Sequence, residues 1–407
     1  MPSSGEAANS TTSNIGSIVR AMMFLLKLIS RNVLRQKLRS LLTLIGIIIA
    51  IAAFCLLNTV VEAWYSGVTA SSATRLITRH AVSLTFSLPV TYQGKLAHLQ
   101  GVSGVAHATW FGGIYIDSKN FFPKFAIPAA DYLAIVPEFV CSPEERAAFL
   151  HDRKGAMVGR KIAAQYGWKI GDTVPLRGTL YSGQWDFTVR CIYHGSDASA
   201  DETQFFFHWN YLNEVMRKRK DQRADTVGIF LTRIENARQA AEISTLIDLT
   251  FRNSLAETLT ETEKAFQLGF VAMTEVIVQV IQVVSVVIIT IIMAVMANTM
   301  AMSARERGRE YATLKALGFG SGFIASLIFG ESLLLAVGGG LGGILVCRPV
   351  IDVLGQRFGT LFPVFQLSMD TLWGALLAAL GIGVISAVFP VWKAMKINVT
   401  EGLRNLG

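Results

Sequence analysis

Five ionisable side chains, Arg305, Glu306, Arg307, Arg309 and Glu310, stand together near the start of the stretch SARERGREYATLKALG, residues 303–318. Mixed signs at this density, with no nucleophile or metal-ligand spacing among them, suit recognition through charge-assisted hydrogen bonds rather than bond-making chemistry. A second ionisable group, Glu331, sits inside an apolar run, where a carboxylate is expensive. It reads either as a proton or substrate site or as a hydrogen-bonding partner for a neighbouring helix. A third set is polar and periodic: Asn58 and Glu62 at i and i+4, and Glu275, Gln279 and Gln282 at i, i+4 and i+7. Such stripes are costly against lipid, so they face protein, as in a dimer, or water, or else lie at the aqueous boundary.

Signatures of catalysis are missing. The sequence holds no GxxxxGK[ST] phosphate loop, HExxH pair, CxxC spacing or GxSxG elbow. The six histidines, His80, His98, His107, His151, His194 and His208, are scattered without ligand spacing. Of the four cysteines, Cys55 and Cys347 fall in or at the end of apolar runs, leaving Cys141 and Cys191 able to pair outside, although their spacing does not ask for it. The chain is therefore expected to be no enzyme, with catalytic residues, metal and bound cofactor all none.

The elements that position these groups are apolar runs. A mean hydropathy of +0.44 over 407 residues is too high for a soluble chain, and it is concentrated in four runs. Residues 41–63 carry one charge, Glu62, and at 1.5 Å per residue span a hydrocarbon core of roughly 30 Å. Residues 269–302, 319–347 and 371–392 follow as further spans. Lys27, Arg31, Arg35, Lys37 and Arg39 precede the first span; Arg305, Arg307, Arg309 and Lys315 separate the second and third; Lys393, Lys396 and Arg404 follow the fourth. Positive residues mark the cytoplasmic side, so both termini and 303–318 are expected inside, and 64–268 and 348–370 outside. The net charge of +8 then belongs to the inner membrane face and calls for no nucleic acid.

Within this frame residues 1–14 read as a disordered tail, and 15–40 as an interfacial amphipathic helix with Ile18, Met22, Leu25, Ile29 and Val33 on one face and Arg20, Lys27 and Arg31 on another. The outer segment opens with a helix-like lead at 64–79. It then mixes strand patterns, at 81–89, 105–117, 174–176, 185–193 and 226–232, with helical ones at 161–168 and 236–251. An unbroken helix from Glu261 to Ser303 would measure roughly 60 Å, about twice the membrane, which predicts a projecting stalk. Residues 303–318 read as a helix opened by a capping box, Ser303 with Glu306, and stopped by a left-handed Gly318. Tyr311, Leu314 and Leu317 form a strip expected to pack back on the spans. Gly338, Gly339, Gly340, Gly342 and Gly343, with Gly374, Ala378, Gly381 and Ser386, predict close helix approach. The fold class is thus α-helical with four transmembrane helices plus a mixed α/β extracytoplasmic domain between spans one and two, ending in a cytoplasmic tail at 393–407.

Four stretches carry a family likeness: RNVLRQKLRSLLTLIGIIIAIAA at 31–53, GRKIAAQYGWKIGDTVPL at 159–176, NTMAMSARERGREYATLKALGFGSGFIASLIFGESLLLAVGGGLGG at 298–343 and FPVWKAMKINVTEGLR at 389–404. Together they resemble the permease subunits of MacB-type, or mechanotransmission, ABC systems, the superfamily of macrolide exporters and lipoprotein-releasing systems that includes FtsX. The likeness departs at Leu314-Lys315, where a doubly basic pair is common, and at Val399 and Gly402, where proline and alanine are. It implies a bacterial inner-membrane protein whose helix at 303–318 docks on a separate ABC ATPase subunit through Arg305, Glu306, Arg307, Arg309 and Glu310. ATP and Mg would bind in that partner. It further implies a homodimer, or a pair with a close homologue, a periplasmic adaptor, and export or extraction of an amphiphilic or peptide-like substrate. The alternatives are an FtsX-like signalling platform that activates a cell-wall enzyme without transport, and a sensor with an outer ligand domain.

Overall fold

The computed structural model describes residues 27–32, 35–197, 200–358 and 364–396. The tail at 1–14, Ile18, Arg20, Met22, Leu25 and Val33 of the interfacial helix, and Val399, Gly402 and Arg404 lie outside them. The chain divides into two units, one drawn from the described parts of 1–61, 278–352 and 367–407, the other from 62–277 and 353–366.

Among the described residues four helices are long and apolar enough to cross a membrane: Lys37–Ala70, Glu275–Glu306, Ser321–Phe358 and Met369–Met395. Three exceed the spans expected for them, because helical hydrogen bonding continues past the apolar run into polar flanks; helix 275–306 instead begins six residues after the expected 269 and runs four residues past 302. The glycines of helix 321–358 allow close packing. A Cβ on Gly339 would lie 2.5 Å from Ile47, and one on Gly343 would lie 2.8 Å from Ile51, so helix 37–70 fits only because these positions lack one. Gly340 makes the same approach to Ala379, at 2.6 Å, on helix 369–395, whereas Gly381 faces open space. Ser332 joins the latter pair of helices by donating to Gly383 O at 2.6 Å.

The second unit is built on an eleven-stranded mixed sheet among the described residues, with Phe139–Val140 paired off its main path. From edge to edge the strands are Thr258–Thr262, Arg75–His80, Ile229–Ile234, Val102–Trp110, Lys124–Ile127, Phe205–His208, Gly155–Gly159, Gly183–Gly195, Thr173–Gly178 and Gly113–Ile114. Helices cover both faces, which is why the central strand 205–208 reads FFFH: Phe205 and Phe207 enter one core, Phe206 the other. The first core takes Leu96, Ile162, Trp209 and Ile247 from its helices, and the second takes Tyr132, Leu133 and Phe149.

Several expectations need correction. The lead at 64–79 is not helical throughout: the helix ends at Ala70, and Arg75–His80 form a strand paired on both sides. The strand expected at 81–89 contracts to Leu88–Pro89, preceded by a loop exposing Val82 and Phe86. No single helix runs from Glu261 to Ser303. Glu261 lies in strand 258–262, paired with Ile77; Thr262 caps the helix Glu263–Ala272 by accepting from Ala265 N, and a turn at Met273 and Thr274 precedes helix 275–306. A sheet partner for 258–262 outcompetes helical continuation there, and apolar periodicity cannot register such a non-local pairing.

Two basic side chains, His107 and Lys124, are buried against members of the first core. His107 is 3 % exposed, with its Nδ1–H donated to Gln93 Oε1, and burial holds it near 4. Lys124, 2 % exposed, donates to Phe122 O at 2.8 Å and stands 3.6 Å over the Phe122 ring; burial lowers it to about 7.

Candidate functional site

The charged stretch after the second long helix is arranged differently from its sequence reading. Helix 275–306 runs straight through Ser303, which is 6 % exposed and whose carbonyl accepts from Arg307 N, so Ser303 caps nothing. The apolar residues before it continue the helical ladder, and a serine with an unbroken ladder behind it has no orphan amides to satisfy. The break comes at Arg307, with φ −92° and ψ 9°, followed by the helix Gly308–Ala316. Gly308, a poor helix former, is the local signal for this junction. The far end is as expected: Gly318 takes φ +92°, with Phe319 N donating to Leu314 O and Gly318 N to Lys315 O.

Of the five charges, Arg307 is buried and the other four are exposed. Arg307 is 5 % exposed and ion-paired at 3.0 Å with Glu331, itself 6 % exposed, while its second terminal nitrogen donates to Asn32 O at 2.9 Å. Arg307 is thus internal, and Glu331 is its partner in the buried pair. Glu306 receives Arg39 in a two-bond fork at 2.8 and 2.9 Å and Gln36 at 2.5 Å, and Glu310 receives Arg35 at 2.5 Å. Arg305 and Arg309 are exposed. Lys315 donates to Met395 O at 2.8 Å, tying helix 308–316 to the end of helix 369–395.

Apolar packing completes the clamp. Tyr311, 4 % exposed, lies with Ala304, Ile324, Ile328, Ala387, Val391 and Ala394, with Leu314 against their edge. Burial pushes its phenol up to about 12. Leu317 departs from the expected strip: at 71 % exposed it points outward, as the left-handed turn begins at the next residue, and Phe319 is 45 % exposed beside it.

Asn58 donates back to Phe54 O of its own helix at 3.0 Å, and Glu62 is half-buried. Glu275, Gln279 and Gln282 are exposed on helix 275–306, along with Val280, Val283, Val287 and Ile291. In the α/β unit a further cluster, missed in the sequence because its members are far apart, joins both ends of the inserted segment. Arg75 is 5 % exposed and holds Glu263 at 2.9 Å and Glu138 at 2.6 Å, and Glu263 also accepts from Ser72 N.

Two family models match: the MacB-like periplasmic core domain over residues 40–247 and the FtsX-like permease C-terminal domain over residues 282–399. The chain belongs to the MacB/FtsX-type ABC transporter permeases. Among relatives of this permease, the uncharacterized ABC transporter permease MJ1507 of Methanocaldococcus jannaschii is 34 % identical over 111 residues, covering 26 % of this chain and 28 % of the relative. The uncharacterized ABC transporter permease YvrN of Bacillus subtilis is 32 % identical over 108 residues, 26 % of this chain and 25 % of its own. The permease thus aligns with only about a quarter of the length of these curated relatives. Among solved structures, the extracellular domain of the noncanonic ABC-type transporter YknZ from Gram-positive bacteria aligns at 12 % identity and TM-score 0.34, covering 46 % of the permease and 100 % of that chain. A domain of a putative permease protein from Porphyromonas gingivalis aligns at 13 % and 0.31, covering 47 % and 90 %.

Proposed function

We propose that the permease couples ATP hydrolysis in a separate ABC ATPase subunit to movement of its α/β unit. The ATPase docks on Arg305, Arg309 and the exposed Leu317 and Phe319. The observation that carries this reading is the exposed surface at the junction, where two arginines, Arg305 and Arg309, and two large apolar side chains, Leu317 and Phe319, face out. Basic residues flanking the long helices favour a cytoplasmic junction and termini, with the α/β unit outside the inner membrane. Two copies work together, each with its ATPase, where ATP and Mg reside. The substrate is amphiphilic or peptide-like and is handled on the outer side with an adaptor protein.

Reversing both exposed arginines, R305E with R309E, tests the docking surface. The ATPase should be lost from the permease purified in mild detergent, with the thermal stability of the permease changed by no more than about 0.5 kcal/mol, as for surface substitutions. Retention of the ATPase at wild-type stoichiometry would sink the docking assignment.

A further inference from the structure

Cys141 and Cys191 are 50 positions apart in sequence and neighbours in the fold. Cys141 directly follows strand 139–140, whose Phe139 pairs with Gly195 and Val140 with His194, so the chain delivers Cys141 beside the end of strand 183–195 that carries Cys191. An irregularity in that strand aims the second thiol. Ala156 pairs with Val189 but Met157 pairs with Cys191, so Arg190 is an extra residue in the register. Strict alternation would put Val189 and Cys191 on one face. Instead Val189 enters the first core and Cys191 the second, where Cys141 packs. The extra residue therefore turns Cys191 toward Cys141, the kind of re-aiming that bulges perform. The two are free thiols here.

We propose that Cys141 and Cys191 form an intramolecular disulfide, installed by exchange with the disulfide of an extracytoplasmic thiol oxidoreductase. This rests on the reading that places the α/β unit outside the cytoplasm, where disulfides persist. Access sets the order of the steps, since Cys141 is half-buried and Cys191 is fully buried. The neighbouring Cys191 thiol favours the Cys141 thiolate, holding it below the ordinary thiol range. That thiolate attacks one sulfur of the oxidant's disulfide, forming a mixed disulfide and expelling the second sulfur as a thiolate, which takes up the proton lost by Cys141. Cys191 then gives up its proton and attacks Cys141 Sγ, expelling the oxidant's first sulfur. Two electrons and two protons pass from the cysteine pair to the oxidant, which leaves as a dithiol.

The bond would fasten a short edge strand to a central one. Glu138, just before that edge strand, is one of the two carboxylates on Arg75, so the disulfide would also fix a wall of the Arg75–Glu263 cluster.

The experiment uses the full-length permease expressed in its native membrane, with free thiols trapped by acid and alkylated before any reductant is added. Peptide mapping should find the Cys141 and Cys191 peptides linked, two hydrogens lighter than their sum, and separate after reduction. In C141S the linked species should vanish, with Cys191 alkylated. A companion variant, K169C at an exposed position of the α/β unit, is treated on whole cells with a membrane-impermeant maleimide. Alkylated Cys141 and Cys191 in wild type, with K169C labelled, would overturn the disulfide itself. Both alkylated with K169C unlabelled would overturn the outward placement, and the proposal with it.

Discussion

Lys124 is the residue most out of keeping with its surroundings. With its ordinary value at 10.5 and its folded value at about 7, the unfolded chain binds a proton between those limits that the folded chain releases. Stability referred to this group therefore rises with pH across about 7 to 10.5 and is lost as pH falls through 7. His107 acts in the same direction lower down, between 6.5 and about 4. The comparison that isolates Lys124 is K124M, which keeps the length of the side chain and removes the charge. At pH 7 the variant should unfold at higher temperature than wild type, and the gap should close by about 2–4 kcal/mol by pH 10.5. The Phe122 ring beneath the ammonium offsets part of the full shift. A gap that stays constant with pH would mean Lys124 is charged throughout. Nothing in the sequence signals this burial, because KFAI is an ordinary short strand until the sheet places Lys124 toward the core.

At the scale of elements, the Arg307–Glu331 pair makes one body of the end of helix 275–306 and the start of helix 321–358. Replacing one partner alone leaves a buried, uncompensated charge, so E331Q should destabilise the permease in detergent by about 3 kcal/mol. The double change R307M with E331L should be far milder than the sum of the singles, a coupling that thermal unfolding of all four proteins measures. Equal and additive losses would mean that the pair contributes nothing jointly. The sequence made the existence of this charged helix legible through composition and the Gly318 stop. Its start was hidden because Ser303 and Glu306 have capping-box spacing inside a helix that does not end there. Which arginine turns inward depends on a glutamate 24 positions away, and Leu317 faces out because the stop follows it immediately. Local spacing reports neither.

For the molecule as a whole, the four spans and the inserted α/β unit were readable because long apolar runs admit few structures and the alternating strands left little else for the segment between. Sheet order was not, since strands neighbouring in the sheet come from opposite ends of that segment. Helix 275–306 is the barest of the four candidate spans among the described residues, and it carries Gln279 and Gln282 among its exposed valines. Two copies meeting on that face should bring their Gln282 positions together, so Q282C should yield a cross-linked dimer under mild oxidation in membranes. No cross-link, with or without nucleotide, would count against this arrangement. The single-residue turn at Arg307 has a mechanical meaning as well. The 32 residues before it form a rod about 48 Å long, and tilting such a rod by about 5° carries its far end about 4 Å. With its short arm held to neighbouring helices, the assembly would act as a crank, trading small strokes at the junction for larger travel at the other end.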